Sequence, residues 1–298
     1  MIEKMLKIVK SSNKKRGRSI TIGTVIGFLL SCTTTIGAEK EMAGLEIKRE
    51  NGNLNFTALS GGASPNTSVG EDINEFYKYN TFKDNVYINN SAISEKASST
   101  LQNSYGIKLS LLIENFTIIN ENVIGVKSEK GSNNIGINIS DSAIEFTIQN
   151  NGFIYSERGI ELSSGIKIDE KITKTNIENE GIISAKVDSP SKAKAKGIEN
   201  HGENLEVVNH GLIYGDAYEG DGIGIQNKGD NLRLLNSGMI YGDSNVRSSN
   251  IAGIYENGAN GSIKNTGMIF ETSTGNNMSH GIFCTGELNI LENDGVIY

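Results

Sequence analysis

An Asn-x-Gly-apolar-Ile phrase recurs along the chain. "NNGFIY" begins at Asn150, "NEGIIS" at Asn179, "NHGLIY" at Asn209, "NSGMIY" at Asn236, "NTGMIF" at Asn265 and "NDGVIY" at Asn293. The glycines stand at 152, 181, 211, 238, 267 and 295, so the steps are 29, 30, 27, 29 and 28 residues. Two degenerate copies precede them in register, "NNSAIS" from Asn89 and "NENVIG" from Asn120. A fixed period of this length means that each copy is one structural unit, stacked on its neighbours.

Each copy has the same anatomy. An alternating stretch leads into the Asn, as in "FTIQN" to Asn150 and "LEVVN" to Asn209. The residue two before the Asn is apolar: Ile118, Ile148, Ile177, Val207, Leu234, Ile263, Leu291. An Ile stands two after the Gly: Ile154, Ile183, Ile213, Ile240, Ile269, Ile297. A second phrase follows: "YGIKL", "IGINI", "RGIEL", "KGIEN", "DGIGI", "AGIYE", "HGIFC". Period two is a strand signal. Three short strands per copy imply an all-β fold, a right-handed parallel β-helix (solenoid) of about seven to eight coils spanning residues 86–298. A leucine-rich repeat would place its apolar residue three before the Asn and return through a helix; neither feature is present.

Stacking explains the phrase. Each residue meets its own copy one coil away, about 4.8 Å distant. The Ile side chains then fill the interior in a column. Asn150, Asn179, Asn209, Asn236, Asn265 and Asn293 form a ladder along the axis, each amide bonded to backbone or to the next. Gly and Asn tolerate left-handed backbone, so corners are assigned to them. The chain has 35 Gly and 36 Asn.

Residues 39–85 differ. "LSGGASPNTSVGED" (59–72) reads as a linker. Phe76, Tyr77, Tyr79, Phe82 and Tyr87 then cluster, and a solenoid needs a cap on its first coil. This stretch is the candidate N-terminal cap.

Residues 1–38 read as a signal segment: seven Lys or Arg, the apolar run "ITIGTVIGFLL", then small Gly37 and Ala38. Two processing routes stay open, cleavage after Ala38 or lipidation at Cys32 in "LLSC". "NKKRGRSITIGTVIGFLLSCTTTIGA" (13–38) resembles the extended signal and N-terminal region of autotransporter proteins in anaerobic Gram-negative bacteria. The resemblance implies an exported passenger at the cell surface or outer membrane and a C-terminal translocation barrel. No barrel-like strands follow the repeat, so the expectation is a fragment or truncated product, periplasmic where no barrel serves it. Without residues 1–38 the chain has 28 − 7 = 21 positive and 35 − 1 = 34 negative charges, net −13. Such a surface argues against nucleic acid as a partner.

Asp216 and Asp243 fall at one position of neighbouring copies, a spacing compatible with a glycosidase pair but also with a repeated exposed turn. Asp216, Glu219 and Asp221 could offer oxygen ligands to calcium, but their spacing matches neither the EF-hand loop nor the Gly-rich calcium-binding nonapeptide, and a solvated loop is the plainer reading. His201, His210 and His280 are scattered, and Cys284 reads as an apolar filler. No catalytic residue, cofactor site or metal site is assigned. Tyr155, Tyr214, Tyr241 and Phe270 share one position on the face opposite the inward Ile. They form either a surface binding stripe or a ladder covered by loops. The expected function is adhesion or surface display toward a host or bacterial surface protein or glycan. The alternative is a β-helix enzyme acting on polysaccharide.

Overall fold

The computed structural model describes residues 44–50, 53–59, 80–83, 85–95, 103–110, 115–128, 132–140, 145–188, 192–245, 250–273 and 279–298. The signal segment, Phe76, Tyr77, Tyr79 and all but Leu59 of the expected linker lie outside them. Every regular element among the described residues is a strand. The fold is a parallel β-solenoid whose three sheets form three faces.

The Asn face contains Val86–Asn89, Phe116–Asn120, Phe146–Asn150, Thr175–Asn179, Leu205–Asn209, Arg233–Asn236, Gly261–Asn265 and Leu288–Asn293. The aromatic face contains Ala92–Glu95, Val123–Lys127, Phe153–Glu157, Ile182–Val187, Leu212–Ala217, Met239–Ser244, Met268–Ser273 and Val296–Ile297. The glycine face contains Ser104–Ser110, Asn133–Ile139, Leu162–Ile168, Lys194–Asn200, Gly222–Asn227, Ile251–Glu256 and Ser279–Cys284. Neighbouring strands pair in parallel and in register, so Asn150 opposes Asn179 and Ile213 opposes Ile240.

Register makes the core. Ile118, Ile148, Ile177, Val207, Leu234 and Ile263 form one inward column, and Ile154, Ile183, Ile213, Ile240 and Ile269 a second. Ile107, Ile137, Ile166, Ile198, Ile225 and Ile254 form the third. All are buried, and each buried Ile contributes about 1.5–3 kcal/mol of transfer free energy. Ile297, the last inward residue of the second column, is only partly buried.

Antiparallel pairing closes the N-terminal end. Gly44–Glu50 and Asn53–Leu59 make a hairpin, and its first strand pairs in parallel with the glycine face at Ile107. Thr81–Lys83 reverses onto Val86–Asn89. Phe82 stacks on Phe116 at 6.2 Å, and Tyr87 is buried.

Two details differ from the sequence reading. In two copies the glycine that joins the column is not the one first aligned. Ser164–Gly165–Ile166 matches Ile135–Gly136–Ile137, so Gly159 and Ile160 belong to a turn instead. Likewise Gly224, not Gly222, precedes the inward Ile225. Nor do the corner glycines adopt left-handed backbone. A Cβ at Gly238 would lie 2.1 Å from the carbonyl oxygen of Gly211, so glycine is there because the coil below approaches too closely. Left-handed backbone falls instead to Asn85, Asn115, Asn204, Asn231, Asn260 and Arg158.

Candidate functional site

The Asn ladder is continuous. Amide Nδ2 donates to the next Asn Oδ1 from Asn89 through Asn120, Asn150, Asn179, Asn209, Asn236 and Asn265 to Asn293, at 2.7–2.8 Å. The same nitrogen reaches backbone, as from Asn150 to the Ile182 carbonyl at 3.1 Å. Asn150, Asn179, Asn209, Asn236 and Asn265 are buried. The ladder satisfies polar groups that the solenoid takes out of water, which is a structural role. A second, exposed ladder runs Asn289 to Asn260 to Asn231 to Asn204, at 3.0–3.3 Å.

The aromatic row is not one exposed stripe. Tyr214, Tyr241 and Phe270 stack at 4.9 and 5.2 Å, and Tyr241 and Phe270 are buried. In-register stacking covers each ring with the next, and Leu212, Met239 and Met268 on the same face are buried too. Burial pushes the Tyr214 and Tyr241 phenols up. The row therefore offers no open surface at Tyr241 or Phe270, a correction to the stripe expected there. Tyr155 and Phe153, nearer the N-terminal end, are half-buried and stack at 5.0 Å. Gly125 makes room for that ring, since a Cβ there would lie 2.1 Å from a Tyr155 ring carbon.

Beside this pair runs a charged row. Lys127, Glu157, Lys186, Asp216 and Asp243 occupy one register position in successive coils. Lys127 pairs with Glu157 at 3.3 Å and Lys186 with Asp188 at 3.1 Å. Asp216 and Asp243 are directly opposed, and each is half-buried. The Lys186 ammonium is burdened by partial burial, yet Asp188, Asp216 and Glu157 raise its pKa above the ordinary value.

The glycine face holds a buried ionic cluster. Lys196 and Glu199 form an ion pair, and both are almost fully buried. His201 Nε2 lies 3.1 Å from Glu199 Oε1, and the Ser164 hydroxyl donates to Oε2 at 3.1 Å. Burial would raise the Glu199 pKa, but His201 and Lys196 hold it well below the carboxylate range. A carboxylate so fully paired is a fixed charge, not a proton acceptor for chemistry. Lys196 is a charge in a column whose coils on either side hold Tyr105, Ile135, Ser164, Ile223 and Ala252, and that is the sequence signal for it; Glu199, in a column with Lys108, Asn138, Lys167 and Gln226, gives none.

The other singled-out residues do not converge. His210 Nδ1 lies 2.6 Å from the Ser237 hydroxyl, on an exposed row of turns. Asp221 interacts with Lys194 at 3.5 Å. Cys284 is exposed rather than a core filler, because it stands in the outermost coil described. Among the described residues there is no group of three or more metal-ligating side chains and no helix long and apolar enough to cross a membrane. No family model, curated protein or solved structure matches the chain.

Proposed function

We propose that the chain is an exported surface rod that binds a protein or glycan through its aromatic face, between Val123 and Asp216. One observation carries this reading. The half-buried, stacked rings of Phe153 and Tyr155 lie beside the axial charged row from Lys127 to Asp216. Aromatic rings flanked by charge suit contact with sugar faces or with a protein rim. The signal-like residues 1–38 and the acidic balance support export and display, as does the resemblance of residues 13–38 to autotransporter signals.

The test uses the whole chain on immobilised glycans and on intact cells, with oligosaccharide release measured in parallel. Saturable retention, weakened about fivefold or more by Tyr155→Ala without sugar release, supports the proposal. Release of shortened saccharides would replace it with the polysaccharide-degrading reading. Retention equal in wild type and Tyr155→Ala would remove this face as the binding surface.

A further inference from the structure

The glycine-face strands end on an inward position whose occupants change along the axis. Leu109, Ile139 and Ile168 are followed by Asn200, Asn227, Glu256 and Cys284. The polar members share one task. Asn200 donates to the Gly202 carbonyl at 2.7 Å, Asn227 to Gly229 at 2.6 Å, and the Cys284 thiol lies 3.4 Å from the Gly286 carbonyl. In each case the side chain donates to the carbonyl two residues on.

Glu256 stands third in this series and is fully buried. Its Oε1 behaves as an Asn oxygen would. It accepts from Asn227 Nδ2 at 2.8 Å and from the Gly258 amide at 2.9 Å. By the same arrangement Oε2 corresponds to the donating nitrogen, and it has no hydrogen-bond partner among the described residues. A carboxylate cannot donate; a carboxylic acid can. We propose that Glu256 is a proton-operated latch. Protonated, it donates to the Gly258 carbonyl and holds the coil over it, residues 279–298, closed. Ionised, it leaves a buried charge beneath that coil and favours its opening.

The charged surroundings agree. Asp230, on the turn beyond Asn227, adds a second negative charge, and among the described residues Glu256 has no ion-pair partner. Cys284, from the coil above, carries a thiol pushed up by partial burial and by Glu256. Burial is the main cause that raises the Glu256 pKa from 4.5 to about 7. A folded-state value above the exposed one means that closure is strongest below pH 4.5 and is lost as pH rises toward and through 7.

Native-state hydrogen exchange at pH 5.5 and 8.5, expressed as protection factors, tests this. Linkage predicts that protection of amides 281–298 falls roughly 30-fold between the two, while the coil around Ile213 is unchanged. Glu256→Gln supplies a permanent donor and should keep high protection at both pH values. A wild-type protein with no such fall, or a variant with the same fall, overturns the latch. Should Glu256→Gln misfold, the wild type still decides. A carboxyl-carbon NMR titration of Glu256 with its midpoint near 7 supports the proposal, and one near 4.5 refutes it.

Discussion

Asn236 shows what one residue does in this fold. Its amide receives the Asn209 donor and reaches Asn265, the Gly238 carbonyl and the Met268 carbonyl. Asn236→Ala leaves buried groups in two coils unpaired and should cost about 1–3 kcal/mol. Urea denaturation measures it, and a midpoint like that of the wild type would contradict the ladder's role. Gly238→Ala should cost a comparable amount, about 1–3 kcal/mol, through overpacking against the Gly211 carbonyl. Ser237→Ala, on the exposed turn between them, serves as the control and should change stability little. At this scale the sequence was legible wherever one residue type repeats. Asn at the ladder and Ile in the columns could be read directly. The reason for the glycines could not, because a carbonyl from another coil becomes visible only once the coils are stacked. Glu256 was hidden for a related cause: its ladder changes residue type at four of its six steps.

Among the elements, the strand Lys194–Asn200 is the most unusual. It buries Lys196 and Glu199 where neighbouring strands place Ser164, Lys167, Ile223 and Gln226. Lys196→Met removes one partner and strands the Glu199 charge, which should cost about 3–5 kcal/mol. The double replacement by Met and Leu should recover most of that loss. Equal losses in single and double variants would show that the pair is not what matters. The pH dependence has a defined sign. Burial would raise the Glu199 pKa, but His201 and Lys196 depress it below its ordinary 4.5. Its stabilisation is therefore present above pH 4.5 and lost as pH falls further. The stability gap between wild type and Glu199→Gln should accordingly shrink in acid, as followed by thermal melts from pH 7 to 3. Strand existence was legible from period two and Asn-Gly spacing. Strand register on the glycine face was not, because "SERGIELSSGIKI" offers two Gly-Ile pairs, and packing selects Gly165 while leaving Ile160 exposed.

For the whole molecule, stacking converts sequence period into distance along one axis. The turn residue after each ladder Asn appears once per coil, at Glu121, Asn151, Glu180, His210, Ser237, Thr266 and Asp294. The aromatic row shows where this logic misleads: a repeated surface residue was legible as a row, but its burial depends on what stacks beside it. The most direct measurement is pulsed electron resonance between spin labels on cysteines at these turns, with Cys32 and Cys284 replaced by Ser. Glu121 and Thr266 stand five coils apart and Glu121 and Asp294 six, so backbone separations of about 24 and 29 Å are expected. An increment of about 4.8 Å per coil across every pair is the predicted result. Distances that do not grow by one fixed step per repeat would contradict the solenoid and everything built on it.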